Sequence, residues 1–169
     1  RPTTELFDFI CDYLDLPGIR CERFPCSNGH ENVLFLTGPE PNGSDGFAFC
    51  GHVDTVPAEE PDWTSDPREL VERDGRLHAR GACDMKGFDA IAINLMAEFA
   101  TQEPASPIGL RLTHSEEVGT VGAGEFVTHW PAERPFPKNV VVGEPTSLHP
   151  VRGHKGHIAL RFTVGGVPC

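Results

Sequence analysis

The sequence predicts an α/β fold, a three-layer sandwich around a mostly parallel sheet, and three observations predict it. Short apolar runs rich in strand formers recur along the chain: "NVLFL" (32–36), "GFAFCGH" (46–52), "IGLRLTHS" (108–115) and "NVVVGEP" (139–145). Segments with helical spacing of apolar residues lie among them. The joining stretches are dense in Gly, Pro, Asn and Asp. Strands alternating with helices can bury both faces of a parallel sheet, which is why this pattern selects that architecture.

The first helix spans 3–14, "TTELFDFICDYL", with apolar residues at 6, 7, 9, 10, 13 and 14 and Thr3 or Thr4 placed to cap it. The strands at 32–36 and 46–52 are separated by "TGPEPNGSD", a loop by composition. "ELVERDGRLHAR" (69–80) alternates around Asp74-Gly75, a pair that tolerates the positive φ of a tight hairpin turn. "KGFDAIAINLMAEFATQ" (86–102) puts Phe88, Ile91, Leu95 and Phe99 on one face, which reads as a helix laid on the sheet. A strand at 108–115, a short helix at 122–130 and a strand at 139–145 complete the series.

The 169 residues are enough for one domain with a core of its own. With 14 Lys and Arg against 25 Asp and Glu, the formal charge is -11. That balance argues against nucleic acid or an anionic membrane as partner and favours a metal ion or a polar small molecule. The longest apolar runs fall far short of the ~20 residues of a membrane span, and no leader-like segment opens the chain, so it reads as soluble and cytoplasmic. The six cysteines, at 11, 21, 26, 50, 83 and 169, form no C-x-x-C pair and read as idle thiols.

Chemistry enters at the strand ends, because ligands of open α/β sheets bind beyond the carboxyl ends of the strands. "FAFCGHVD" delivers His52 and Asp54 there, "IGLRLTHSEE" delivers Glu116 and Glu117, and "NVVVGE" delivers Glu144. "GACDMKGFDA" places Asp84 just before a helix. Each has an ordinary reading: a hydrogen-bonded histidine, a helix-capping aspartate, loop acids on a solvated face. One imidazole and several carboxylates on one rim also make the ligand set of a hard-to-borderline divalent ion, Zn²⁺, Co²⁺ or Mn²⁺. The residue types and their placement leave both readings open.

The segments "GHVDTVP", "GACDMKGFDA", "HSEEVGTVGA" and "VVGEPTSLHPVRGHKGHI" resemble, in order and spacing, the motif series of the M20 family of dinuclear zinc amidohydrolases and peptidases. The resemblance implies a zinc-exopeptidase-like catalytic domain. Its implied activity is removal of the acyl group from a small N-acyl amino acid, N-acetylornithine of arginine biosynthesis first, with N-succinyl-diaminopimelate or a dipeptide as alternatives. It implies that His52 and Glu144 hold one metal, that Asp84 bridges two, and that Glu117 binds the second. Glu116 would be the general base, moving a proton from water to the leaving amine. Asp54 resembles the family's acid that orients the ligand imidazole. Two zinc ions per complete site follow, with cobalt or manganese as substitutes, and the relatives imply a cis bond between Asp84 and Met85.

Ser115 departs from the pattern, since many relatives have Asp there. The resemblance also divides the chain into 1–153, the N-terminal part of the catalytic domain, and 154–169, the start of a truncated dimerisation or lid domain, with the strand-like "HIALRFTV" (157–164) as its first strand. A homodimer is expected for a complete chain. On that reading a further metal-binding His and a lid His lie outside these residues, and the fragment alone binds about one zinc tightly and hydrolyses little. The competing expectation is a metal-binding domain without catalysis, with a role in association. His114 falls on the alternate side of its strand and reads as structural. His149, His154, Lys155 and His157 read as a hinge, Trp63 and Trp130 as packing residues, and Cys83 as a bystander to the metal.

Overall fold

A run that is apolar on both sides has to be an interior strand, and β2 (Glu31–Thr37) is one, with Asn32 through Thr37 all buried. The computed structural model describes residues 3–59, 61–153, 155, 156, 158 and 160–166. Beside β2 lie β1 (Ile19–Pro25), β3 (Phe47–His52), β6 (Ile108–Thr113) and β7 (Asn139–Val142), in the sheet order β1-β2-β6-β3-β7. Here β3 runs parallel to β6 and β7, while β2 runs antiparallel to β1 and β6. The sheet is therefore mixed: β2 alone opposes the direction of the other strands.

Helices α1 (Thr4–Tyr13) and α2 (Gly87–Ala100) cover one face and α3 (Val121–His129) the other, giving three layers. On the first face Phe7, Ile10 and Leu14 pack with Ala92 and Met96 against Val33, Phe35, Leu110 and Leu112. On the second, Phe126 seals Leu34 and Leu36, with Phe24, Trp130 and Phe136 around it. Trp130 packs there and donates its indole N–H to the Arg134 carbonyl at 2.8 Å. A short hairpin, β4 (Val71–Arg73) and β5 (Arg76–His78), stands apart and turns at Asp74 and Gly75, both at positive φ (53° and 68°) as the sequence requires.

Four details differ from the sequence reading. β1 is a strand the pattern did not predict, because "IRCERFP" carries charges at 20, 22 and 23 that break the alternation of a half-buried strand. It is an edge strand whose Arg23 pairs with Asp8 and Glu31 and whose Glu22 pairs with Arg134. In α2 the buried stripe is Asp89, Ala92 and Met96, and Ile91 is 64% exposed. Small Ala92 lets the helix sit close to the sheet, so the bulky Phe88, Leu95 and Phe99 fall at its flanks, only partly buried. Thr3 occupies the cap position of α1 but makes no side-chain capping bond. In "HIALRFTV", His157 and Ala159 lie outside the described residues, and the rest forms no strand, leaving Ile158, Leu160, Phe162 and Val164 exposed.

Candidate metal centre

The ends of β3, β6 and β7 are brought level by their register: His52 pairs with Thr113, and Cys50 with Val142. Helix α2 presses on these ends at two glycines. A Cβ on Gly51 would overlap Asp89 Oδ1, and one on Gly143 would overlap the Phe88 ring. Each glycine precedes a candidate ligand, so the close approach fixes where His52 and Glu144 emerge. Asp84 arrives from the other direction, on the wide turn Ala82–Lys86, whose Asp84–Met85 bond is cis as the resemblance implies.

His52 is 1% exposed. Its Nε2 lies 3.2 Å from Asp84 Oδ1, 3.7 Å from Glu144 Oε1 and 3.9 Å from Glu116 Oε2. His52, Asp84 and Glu117 form one group of donor atoms and His52, Glu116 and Glu144 another, each group within 4.8 Å. The groups share His52 and take one glutamate of the adjacent pair each.

Asp54 holds both halves of this arrangement. Its backbone oxygen accepts from His52 Nδ1 at 3.1 Å, and its Oδ1 lies 3.4 Å from the same nitrogen. Its two carboxylate oxygens accept the N–H groups of Glu116 and Glu117, at 3.0 and 3.1 Å. One residue thus aims the imidazole, through its backbone and carboxylate oxygens, and clamps the turn that carries the glutamate pair, a turn entered through Ser115 at φ 52°.

Electrostatics follow from this crowding. Burial works against a charged His52, but the hydrogen bond to Asp54 and the charges of Asp54, Glu144 and Glu116 outweigh it and push the imidazole up to about 9. Burial would raise Asp54, yet its bonds to His52 and to the two backbone N–H groups hold it near 2. Glu117 and Glu144 are both raised, by burial first and then by the charge of Asp84. Beneath them Asp89, 4% exposed and with neither carboxylate oxygen hydrogen-bonded, is pushed up by burial to about 7.

The donor set fits a divalent cation. A tetrahedron with zinc bonds of about 2.0 Å has edges of about 3.3 Å, close to the shortest separations around His52 Nε2. A rim with five carboxylates and one imidazolium also carries surplus negative charge that cations would balance.

Other sequence candidates lie elsewhere. His114 turns toward α3, its Nε2 3.2 Å from Glu125 Oε2. His149 sits in an exposed turn with Thr146, and Cys83 is exposed beside Asp84. His154, His157 and Cys169 lie outside the described residues. The sequence reading missed Asp89, whose one signal was a charge at a helix position in register with Met85, Ala92 and Met96. It also missed the amide clamp of Asp54.

A layered α/β fold with an acidic, histidine-containing rim at the ends of its parallel strands defines the class, an α/β domain with a candidate divalent-metal centre. The family model of peptidase family M20/M25/M40 matches residues 48–163, and the chain belongs to that family. It is 36% identical over 162 residues to acetylornithine deacetylase of Proteus mirabilis, covering 94% of this chain and 40% of that protein. The same-named protein of Pasteurella multocida is also 36% identical, with 94% and 41% covered. The chain thus spans about two fifths of the length of the curated relatives it matches. Human carnosine dipeptidase 1 superposes with a TM-score of 0.66 at 27% identity, over 82% of this chain and 32% of that one. The M20 family metallo-carboxypeptidase Sso-CP2 of Sulfolobus solfataricus shares the fold, with a TM-score of 0.65 at 19% identity over 83% and 31%. Among the described residues no helix is long and apolar enough to cross a membrane.

Proposed function

We propose that this chain is part of a metal-dependent amide hydrolase that splits N2-acetyl-L-ornithine into ornithine and acetate, a step of arginine biosynthesis. The observation that carries the reading is the convergence of His52, Asp84, Glu116, Glu117 and Glu144 on one rim. His52, Asp84, Glu117 and Glu144 would hold zinc, two ions in a complete site, with cobalt or manganese as alternatives. When bound, the metal polarises the amide carbonyl and makes water a stronger nucleophile.

The remaining work falls to the chain's own groups. Glu116 takes a proton from water and delivers it to the leaving amine, which departs as a neutral group. Asp54 keeps that carboxylate in place through the backbone amide and keeps the His52 ring turned to the rim. The chain's charge of -11 favours a substrate with a cationic side chain, such as ornithine, over one that brings a further carboxylate. A dipeptide is the second reading, favoured by the likeness to human carnosine dipeptidase 1.

The test is amine release by the complete gene product, supplied with zinc or cobalt, from N-acetylornithine, N-succinyl-diaminopimelate and simple dipeptides. N-acetylornithine should give the highest kcat/KM. A higher value for another substrate would move the assignment within the family, and turnover of none would leave the non-catalytic metal-binding domain standing.

A further inference from the structure

Behind the turn that carries Glu116 and Glu117, three donor types meet from three parts of the chain. Cys26 lies between β1 and β2, His114 follows β6, and Glu125 belongs to α3. One donor atom of each lies within 4.8 Å of the other two. His114 is 1% exposed, and its Nε2 faces Glu125 Oε2 at 3.2 Å, yet neither atom has a partner of hydrogen-bonding geometry.

Each donor is also held from behind. His114 Nδ1 lies 2.9 Å from Ser115 Oγ, and in the tautomer in which Nδ1 donates to that hydroxyl Nε2 offers its lone pair. The Ser27 N–H donates to Glu125 Oε1 at 3.3 Å, leaving Oε2 for the cluster. Asn32 Nδ2 donates to Cys26 Sγ at 3.2 Å, a contact that favours the thiolate, the form that binds metal. His30 stacks on the His114 ring at 4.7 Å and fixes its plane.

We propose that Cys26, His114 and Glu125 form a second divalent-cation site of zinc type, separate from the rim, that ties the β1–β2 connection and α3 to the turn bearing Glu116 and Glu117. Thiolate, imidazole and carboxylate are donors that zinc accepts together, and water completes a tetrahedron on three protein ligands. Without a cation, burial first and then Glu125 push the Cys26 thiol up to about 11. Binding therefore releases the thiol proton to solvent while the sulphur lone pair goes to the cation. In the metal-free alternative the thiol keeps its proton, in contact with Glu125 and with the Phe24 carbonyl at 3.3 Å, while His114 pairs with Glu125; sulphur ligation separates the two accounts.

Cobalt(II) reports sulphur ligation through an intense near-ultraviolet thiolate-to-metal absorption that oxygen and nitrogen ligands do not give. Titration of the chain with cobalt(II) chloride should produce that band, saturating at one absorbing ion per chain, and added zinc should bleach it. The band should vanish in Cys26→Ser. In Glu125→Gln its apparent affinity should fall by at least about tenfold, the smallest loss expected when a ligand or its direct support is removed. It should persist in Cys83→Ser, which removes the thiol next to Asp84, and in Asp84→Asn, which disables the rim. Near-ultraviolet circular dichroism checks the fold of each variant. Should Cys26→Ser not fold, Glu125→Gln decides, because Glu125 is partly exposed on α3. No band in the folded wild-type chain, or a band of unchanged strength and affinity in either folded variant, overturns the proposal.

Discussion

His52 and His114 are both buried at the same end of the sheet, and their surroundings drive them in opposite directions. His52 is opposed by burial, but Asp54, Glu144 and Glu116 outweigh that and push it up to about 9. His114 is pushed below its ordinary value by burial first and then by the neighbouring His30, against the pull of Glu125. The difference lies in the charge around each ring. Burial alone does not assign a histidine its role: a carboxylate surplus makes one an imidazolium whose ring proton a metal must displace, and a pocket short of carboxylates holds the other below its ordinary value.

The largest effect expected from breaking this contrast is at Glu116. In the complete gene product Glu116→Gln should lower kcat by about 10² to 10⁴ while bound metal is retained, since the amide cannot carry the proton. Steady-state kinetics beside metal analysis measure both, and a variant with normal turnover would remove Glu116 from the proton path. Next comes Asp54→Asn, which should weaken rim metal affinity by about 10- to 100-fold in calorimetry. The cobalt band of Cys26 should stay, and an inverted result would mean that Asp54 serves the His114 side.

A pH series sharpens the contrast further. Asp89 binds its proton more tightly folded than unfolded, so its contribution is greatest below the ordinary carboxylate range and is lost as pH rises through about 7. The loss amounts to at most about 4 kcal/mol. His52 adds stability that is full below about 6.5, its unfolded value, and is lost as pH rises through about 9. His114, held low, adds stability as pH rises to about 6.5 and offsets part of the Asp89 loss, so in chelator urea unfolding should show a net fall from about pH 4 to about pH 9 that is shallower in its acid half. Asp89→Asn should flatten the acid half of that slope alone, and an unchanged slope would deny the buried carboxyl its role. The smallest effect is Gly143→Ala, where the new methyl meets the Phe88 ring at a cost of about 1–3 kcal/mol. It should displace Glu144 and weaken rim binding without touching the band at Cys26.

The same contrast marks what the sequence could tell. The rim was legible because His52, Glu116, Glu117 and Glu144 each follow an apolar strand, and strands of one sheet deliver their ends to one place. The Cys26 group was not, since its residues come from a connection, a strand end and a helix, and no period links 26, 114 and 125. Helix α2 was legible as a helix but not in its orientation. Asp89 occupies the buried stripe, so apolar periodicity selected the neighbouring face through Ile91. β1 escaped because Arg20, Glu22 and Arg23 look like loop residues until their partners across the sheet are known.

The central claim, that strand-end residues form a metal centre, is tested most directly by diffraction from crystals of the chain grown with zinc and measured on both sides of the zinc edge. An anomalous peak should appear bonded to His52 Nε2 and to carboxylate oxygens of Asp84 and of Glu144 or Glu117, at about 2.0–2.2 Å, and should be lost in Asp84→Asn. A zinc-saturated chain with no peak at that rim, or with one that touches none of those carboxylates, would contradict it.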